Sequence, residues 1–152
     1  MSEDEAVGAP GGPVLVTEGE FAGWSTWKSD AFEQRAGPFY QRRDDKGDHV
    51  SAFRAEDRHM NGAGFMHGGL LMTFADSALF TIATDALGES HGVTMHLAGD
   101  FLDPASPGQL IEARGKVVRA GGKTIYVAGM VTADDKPVLS FNGIIRRLSG
   151  GG

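Results

Sequence analysis

The stretch HMNGAGFMHGGLLMTFADSALFTIATDALG, His59 to Gly88, decides how this chain folds. From Gly69 to Ala83 apolar residues fall almost all the way round a helical wheel, which predicts a buried helix ending near Gly88, a natural C-cap. Asp76 stands in its middle, where an unpaired carboxylate would be costly or would shift its pKa. At about 100° per residue, Thr73, Asp76, Ser77, Thr81 and Thr84 share an arc of roughly 140°, and Leu71, Met72, Ala75, Ala78, Leu79, Ile82 and Ala83 fill the rest. Such a stripe faces water, a cleft or another chain. Leu70 and Phe80 within the same arc favour a cleft or an interface over plain solvent.

The start of the helix adds a second signal. His67-Gly68-Gly69 puts two residues without side chains where the first backbone N–H groups lack partners. Those donors and the positive end of the helix dipole suit an anion or a developing oxyanion, although glycines of this kind also simply make turns. His67 reads equally as a structural histidine. His59 and His67 are not accompanied by a further ligand at metal-binding spacing, so no metal is expected. His91 and His96 read as structural or surface residues.

The chain has 152 residues, the size of one domain with one core. With 20 acids against 14 Lys and Arg its formal charge is −6, which argues against non-specific binding to nucleic acid or to anionic membrane. It has no cysteine, so disulfides, thiolate nucleophiles and Cys-ligated zinc are excluded. The acidic opening MSEDEAVGAPGGP has no apolar core of a signal peptide, and no apolar run is long enough to span a bilayer. The expectation is a cytoplasmic protein with a flexible tail over residues 1–13, a single domain over 14–149 and a frayed SGGG end.

Around the helix the pattern is mostly strand. In Glu18 to Arg35, Phe21, Trp24, Trp27 and Phe32 recur at near-helical spacing, predicting a short or broken amphipathic helix. Phe39–Arg43 and His49–Ala55 flank DDKGD, a hairpin turn by composition. After Gly92, Val93, Met95 and Leu97 alternate with Thr94, His96 and Ala98. Gln109–Arg119 and Lys123–Thr132 flank Ala120-Gly121-Gly122, and Val138–Leu148 closes the chain. One long helix against a meander of about four antiparallel strands, preceded by a hairpin, is an α+β design.

The run Asn61-Gly62-Ala63-Gly64-Phe65-Met66-His67-Gly68-Gly69, followed by Asp76, resembles the hotdog-fold acyl-CoA thioesterases. The likeness is to the group of the phenylacetate-pathway thioesterase, thioesterase superfamily member 2 and the Arthrobacter-type 4-hydroxybenzoyl-CoA thioesterase, and it covers about Phe39 to Leu148. It implies a hotdog fold, a long helix wrapped by a curved antiparallel sheet. Asp76 then matches the catalytic carboxylate, acting as nucleophile or as general base. Gly68 matches the residue whose amide polarises the thioester carbonyl. Asn61 matches a side chain that positions water or the carboxylate, His67 a histidine supporting the thioester end, and Thr94 a Ser or Thr that orients water. The likeness further implies homodimers or dimers of dimers, with active sites across the subunit interface and Asp76 and the helix start coming from different subunits.

Acyl-CoA is the expected ligand, and the chemistry needs no cofactor. In an acidic protein the phosphates of coenzyme A require local cations. Arg119 and Lys123 are the candidates, with Arg146 and Arg147 on the last strand; the resemblance places coenzyme A contacts at the predicted hairpin, which includes Gly122 between the two cations. Gly69 lets a substrate approach the backbone, and Phe65, Met66 and Phe80 are walls of an acyl pocket or part of the core. Two other functions compete. A non-catalytic acyl-CoA-binding hotdog module has no need of Asp76, and a hotdog dehydratase needs a His before a glycine-proline-rich turn, which is not seen here.

Overall fold

The computed structural model describes residues 12–148; the tail expected over residues 1–13 falls almost wholly outside them, as does the end from Ser149. Among the described residues eight antiparallel strands form one sheet: β1 (Val14–Leu15), β2 (Ser25–Thr26), β3 (Tyr40–Arg43), β4 (His49–Arg54), β5 (Gly92–Phe101), β6 (Leu110–Ala120), β7 (Thr124–Ala133) and β8 (Lys136–Arg147). Their order across the sheet is β1-β2-β3-β4-β6-β7-β8-β5. Strand β5 therefore crosses to the far edge beside β8, and the helix that precedes it makes the crossing.

That helix, α2 (Gly68–Ile82), follows the short α1 (Ala31–Ala36) and precedes one further turn, α3 (Thr84–Leu87). It begins one residue before the predicted start, within the ordinary ambiguity of helix ends. Gly88 ends α3 with a φ of 58°, a conformation that glycine adopts without a steric penalty. Leu71, Phe74, Ala75, Ala78 and Leu79 are buried on α2, the spacing of one face, and the opposite face carries Thr73, Asp76, Ser77 and Phe80.

Glycines in the strands set how closely α2 lies on the sheet. A Cβ on residue 143 of β8 would sit 2.6 Å from Leu79 Cδ1. One on residue 99 of β5 would sit 3.0 Å from Met72 Sδ, and one on residue 115 of β6 would sit 2.9 Å from Ile82 Cδ1. Glycine weakens a strand interior, so its repeated use under one helix marks a close approach. The remaining space is filled by Phe39, Phe53 and Phe74, whose ring centroids lie 4.8–5.1 Å apart in edge-on and tilted geometries.

The aromatic stretch before residue 36 departs from the predicted helix. Gly19 and Gly23 take φ values of 84° and 92°, closing turns, and only Ala31–Ala36 is helical. The aromatic residues are presented from these turns to strand β3: Phe21 stacks on Tyr40 at 4.2 Å, and Trp24 lies under the Arg42 guanidinium. Phe21, Trp24 and Trp27 thus meet β3 without a helix among them, and only exposed Phe32 lies on a helix. Among the described residues no helix is long and apolar enough to cross a membrane.

Gly143→Ala is expected to destabilise the protein by about 1–3 kcal/mol, because its Cβ meets both Leu79 and the His96 carbonyl oxygen, which is backbone and cannot rotate aside. Leu79→Ala should cost about 2–5 kcal/mol by leaving a cavity at the same contact. Urea denaturation midpoints measure both.

Candidate active site

With one face of α2 committed to the sheet, Asp76 on the other face is half-buried. Its Oδ1 accepts a hydrogen bond from the Thr94 hydroxyl at 2.5 Å. A bulge makes this meeting possible. Thr94 pairs with Ile145 and His96 with Ile144, leaving Met95 as the extra residue. Cross-strand partners share a face, so Thr94 lies on the helix side with buried Ile145, and His96 is turned to the other side. The simple alternation expected for Val93–Ala98 is thus corrected: an unbroken strand would place Thr94 and His96 on one face.

At the start of α2 the two glycines differ in a way their sequence does not reveal. His67 is the N-cap, and its Nδ1 accepts the Gly69 N–H at 2.8 Å. This places the ring proton on Nε2, which points away from the helix amides. The Gly69 amide is therefore occupied, whereas the Gly68 N–H finds no acceptor among the described residues. The ring of Phe101, the last residue of β5, lies 3.2 Å from where a Cβ on Gly68 would be. Phe101 is 56% exposed, a neighbour of this amide that sequence reading missed; nothing in the pattern of β5 marks it.

Asn61 is used within its own loop. Its Oδ1 accepts the N–H groups of Ala63 (2.9 Å) and Phe65 (3.1 Å), a turn that Asn favours, so only its NH2 group is left to address a neighbour. Phe65 is exposed and Met66 is buried in the core. His59 has both ring nitrogens engaged, with the Glu56 N–H at 3.0 Å and the Ala36 carbonyl at 2.9 Å. Burial, with Arg58 nearby, holds His59 below the usual histidine range.

Asp76 opens onto a cavity of about 620 Å³, lined also by Trp27, Glu33, Gln41, Ser77, Phe80, Thr81 and His91. Phe80 lines this cavity and also packs against the core. Trp27, Glu33 and Gln41 are new: they belong to the aromatic stretch and β3, where sequence reading named no site residue. Gln41 Oε1 accepts from the Trp27 indole (3.1 Å) and from the buried Thr81 hydroxyl (3.0 Å), which fixes the carboxamide's orientation. Burial pushes the Glu33 carboxyl up to about 7; the charge of Asp30 and, less strongly, that of Asp76 add to this, while the Ser77 hydroxyl opposes it.

The cations expected to meet coenzyme A are not gathered at this cavity. Neither Arg119 nor Lys123 lines it, nor does Gly122 between them. They sit on the β6–β7 hairpin, where Arg119 follows a second bulge and Arg119 and Lys123 are exposed. Arg147 is tied down by the Gly121 carbonyl and the Ser90 hydroxyl, so it braces the hairpin. Gly68 and Asp76 are also separated. Eight residues along one α-helix put them about 12 Å apart along its axis, too far to act on one carbonyl.

Known proteins share this architecture. Residues 63–140 match the sequence pattern described as the Thioesterase superfamily. A Pseudomonas aeruginosa protein named "Putative esterase PA0474" is 31% identical over 109 residues, 71% of this chain and 81% of that protein. A mutant of the phenylacetic acid degradation protein PaaI of Thermus thermophilus is 29% identical in sequence. Its structure superposes with a TM-score of 0.67, covering 78% of this chain and all of that one. A hypothetical thioesterase of Streptococcus pneumoniae, solved with coenzyme A, has a TM-score of 0.65 at 20% identity, over 72% and 85% of the two chains, a likeness of fold. This chain belongs to the thioesterase superfamily, and its long helix laid against one antiparallel sheet is the hotdog fold.

Proposed function

We propose that the protein hydrolyses acyl-CoA thioesters to a free acid and coenzyme A, in sites completed by a second copy of the chain. The observation that carries this is the pair on α2: a Gly68 amide without a partner among the described residues and an Asp76 carboxylate held by Thr94, about 12 Å apart along the axis. Hydrolysis of a thioester needs a donor where negative charge develops and a carboxylate or activated water on the carbonyl carbon. One chain supplies both parts, too far apart to meet. Two copies, with the helix start of one facing Asp76 of the other, bring them together twice under two-fold symmetry.

In that arrangement the partner's Gly68 amide, at the positive end of its helix, polarises the carbonyl oxygen. Asp76 either attacks the carbonyl carbon, giving an anhydride that water then cleaves, or takes the proton of an attacking water. In both routes the C–S bond breaks and the electron pair leaves with sulfur. The Thr94 hydroxyl occupies one carboxylate oxygen and aims the other. The partner's Asn61 NH2 and His67 Nε2–H, which have no acceptor among the described residues, are suited to water and to the thioester end. Gly69 serves as space for the substrate; its amide is already bonded to His67. Phe80 of the cavity wall and exposed Phe65 border the acyl group, and Arg119, Lys123 and the Gly122 backbone meet the phosphates. The same fold holds coenzyme A in the Streptococcus pneumoniae structure, a fold-level argument for the leaving group.

A panel of short, medium, long and aromatic acyl-CoAs, followed by thiol release, should reveal turnover of at least one; none by the folded protein would overturn the proposal. Asp76→Asn should lower kcat by about 10²–10⁴-fold while acyl-CoA binding, read by calorimetry, persists. Turnover that survives this change removes Asp76 from the mechanism and favours a binding module. Mixing inactive Asp76→Asn chains with inactive His67→Ala chains should restore about a quarter of wild-type activity, since half of randomly paired dimers contain one intact site of two. No recovery after verified chain exchange argues against a shared site.

A further inference from the structure

We propose that Glu33 is a positioning residue of this site: as a neutral acid beside Ser77 it keeps a second negative charge away from Asp76, and its ionisation slows the reaction. This rests on the hydrolytic reading above. The geometry places Glu33, Asp76 and Ser77, the next residue along α2, on the walls of one cavity. Glu33 is held there from both sides. Its backbone N–H is capped by Asp30 Oδ1 at 3.0 Å, and its helix is anchored through Gln34, whose side-chain NH2 bonds the Thr26 hydroxyl and the Trp27 carbonyl.

The charged groups around Glu33 are mostly of its own sign. Asp30 stands on its own element, Asp76 on α2, and Glu89 and His91 on the segment after α3; no Lys or Arg lines the cavity among the described residues. Arg58 reaches the other end of α1, where it is bonded to the carbonyls of Arg35 and Gly37. An ionised Glu33 therefore has no cation to offset it among the described residues of the cavity. Its field would oppose the negative charge that grows on the thioester oxygen as the carbonyl is attacked. The position of its titration, about 7, makes the neutral form available at ordinary pH.

The test is the pH profile of kcat/KM on whichever acyl-CoA the panel identifies, corrected for spontaneous hydrolysis. The wild type should fall by about tenfold or more between roughly pH 6 and pH 9. Glu33→Gln should stay flat across that window, Glu33→Asp should retain a fall, and His91→Asn, which removes the cavity's imidazole, should fall as the wild type does. An equal fall in Glu33→Gln, or its loss in His91→Asn, overturns the proposal. Melting curves give a readout that needs no turnover. Between about pH 4.5 and pH 7 the folded protein holds a proton on Glu33 that the unfolded chain has lost, so wild-type stability should decline relative to Glu33→Gln as pH rises through that window. A difference that does not change with pH also overturns it. A wild type that hydrolyses nothing sinks the hydrolytic reading and the role of Glu33 in turnover together. An active wild type with an unchanged profile in Glu33→Gln sinks only the latter.

Discussion

The close contact between helix α2 and the strands beneath it is the constraint on which the rest of this molecule depends. Leu79, Met72 and Ile82 lie where Cβ atoms on residues 143, 99 and 115 would otherwise be, so the helix can neither rise from the sheet nor rotate on it without losing packing. Since each helical residue advances about 100°, fixing one face fixes the other. Asp76 is therefore aimed by residues on the opposite side of the helix. A carboxylate in an apolar helix is tolerable because that rotation delivers it to a cavity and to the Thr94 hydroxyl.

The local devices at the start of α2 and around Asp76 follow the same logic of committing some polar groups and not others. His67 takes the Gly69 amide, while that of Gly68 has no acceptor among the described residues. Asn61 spends its carbonyl oxygen on its loop, leaving its NH2 group. The bulge at Met95 turns Thr94 towards Asp76, and the hydroxyl takes one carboxylate oxygen. Each commitment removes an alternative geometry, the kind of preorganisation that the proposed reaction requires.

Electrostatics divides the surface into different tasks. Among the described residues the cavity beside Asp76 carries acids and neutral donors without a Lys or Arg, while exposed Arg119 and Lys123 lie on the β6–β7 hairpin. The proposed ligand, with an uncharged acyl end and a phosphorylated end, matches that division, because each half would meet the environment that costs it least.

Much was legible in the amino-acid order alone. Apolar periodicity placed α2 to within a residue, Gly88 marked the end of the helical region, and alternation located the strands of the meander. The run from Asn61 to Gly69 with Asp76 after it pointed to the family, because those residue types at that spacing serve one local arrangement, a loop feeding a helix start. Other features depended on contacts between distant segments. The aromatic stretch around Trp24 keeps helical spacing whether it forms a helix or folds as turns against β3, and only the strand it meets decides between them. Glu33 and Gln41 reach the site across the fold, Phe101 reaches Gly68 from the end of another strand, and the bulge that turns Thr94 is a matter of register with β8. Periodicity and motif are properties of near neighbours in the chain, so the sequence determined the helix, the strands and the family; which side chains share a cavity, and which amide stays free, was decided only when packing brought remote residues together.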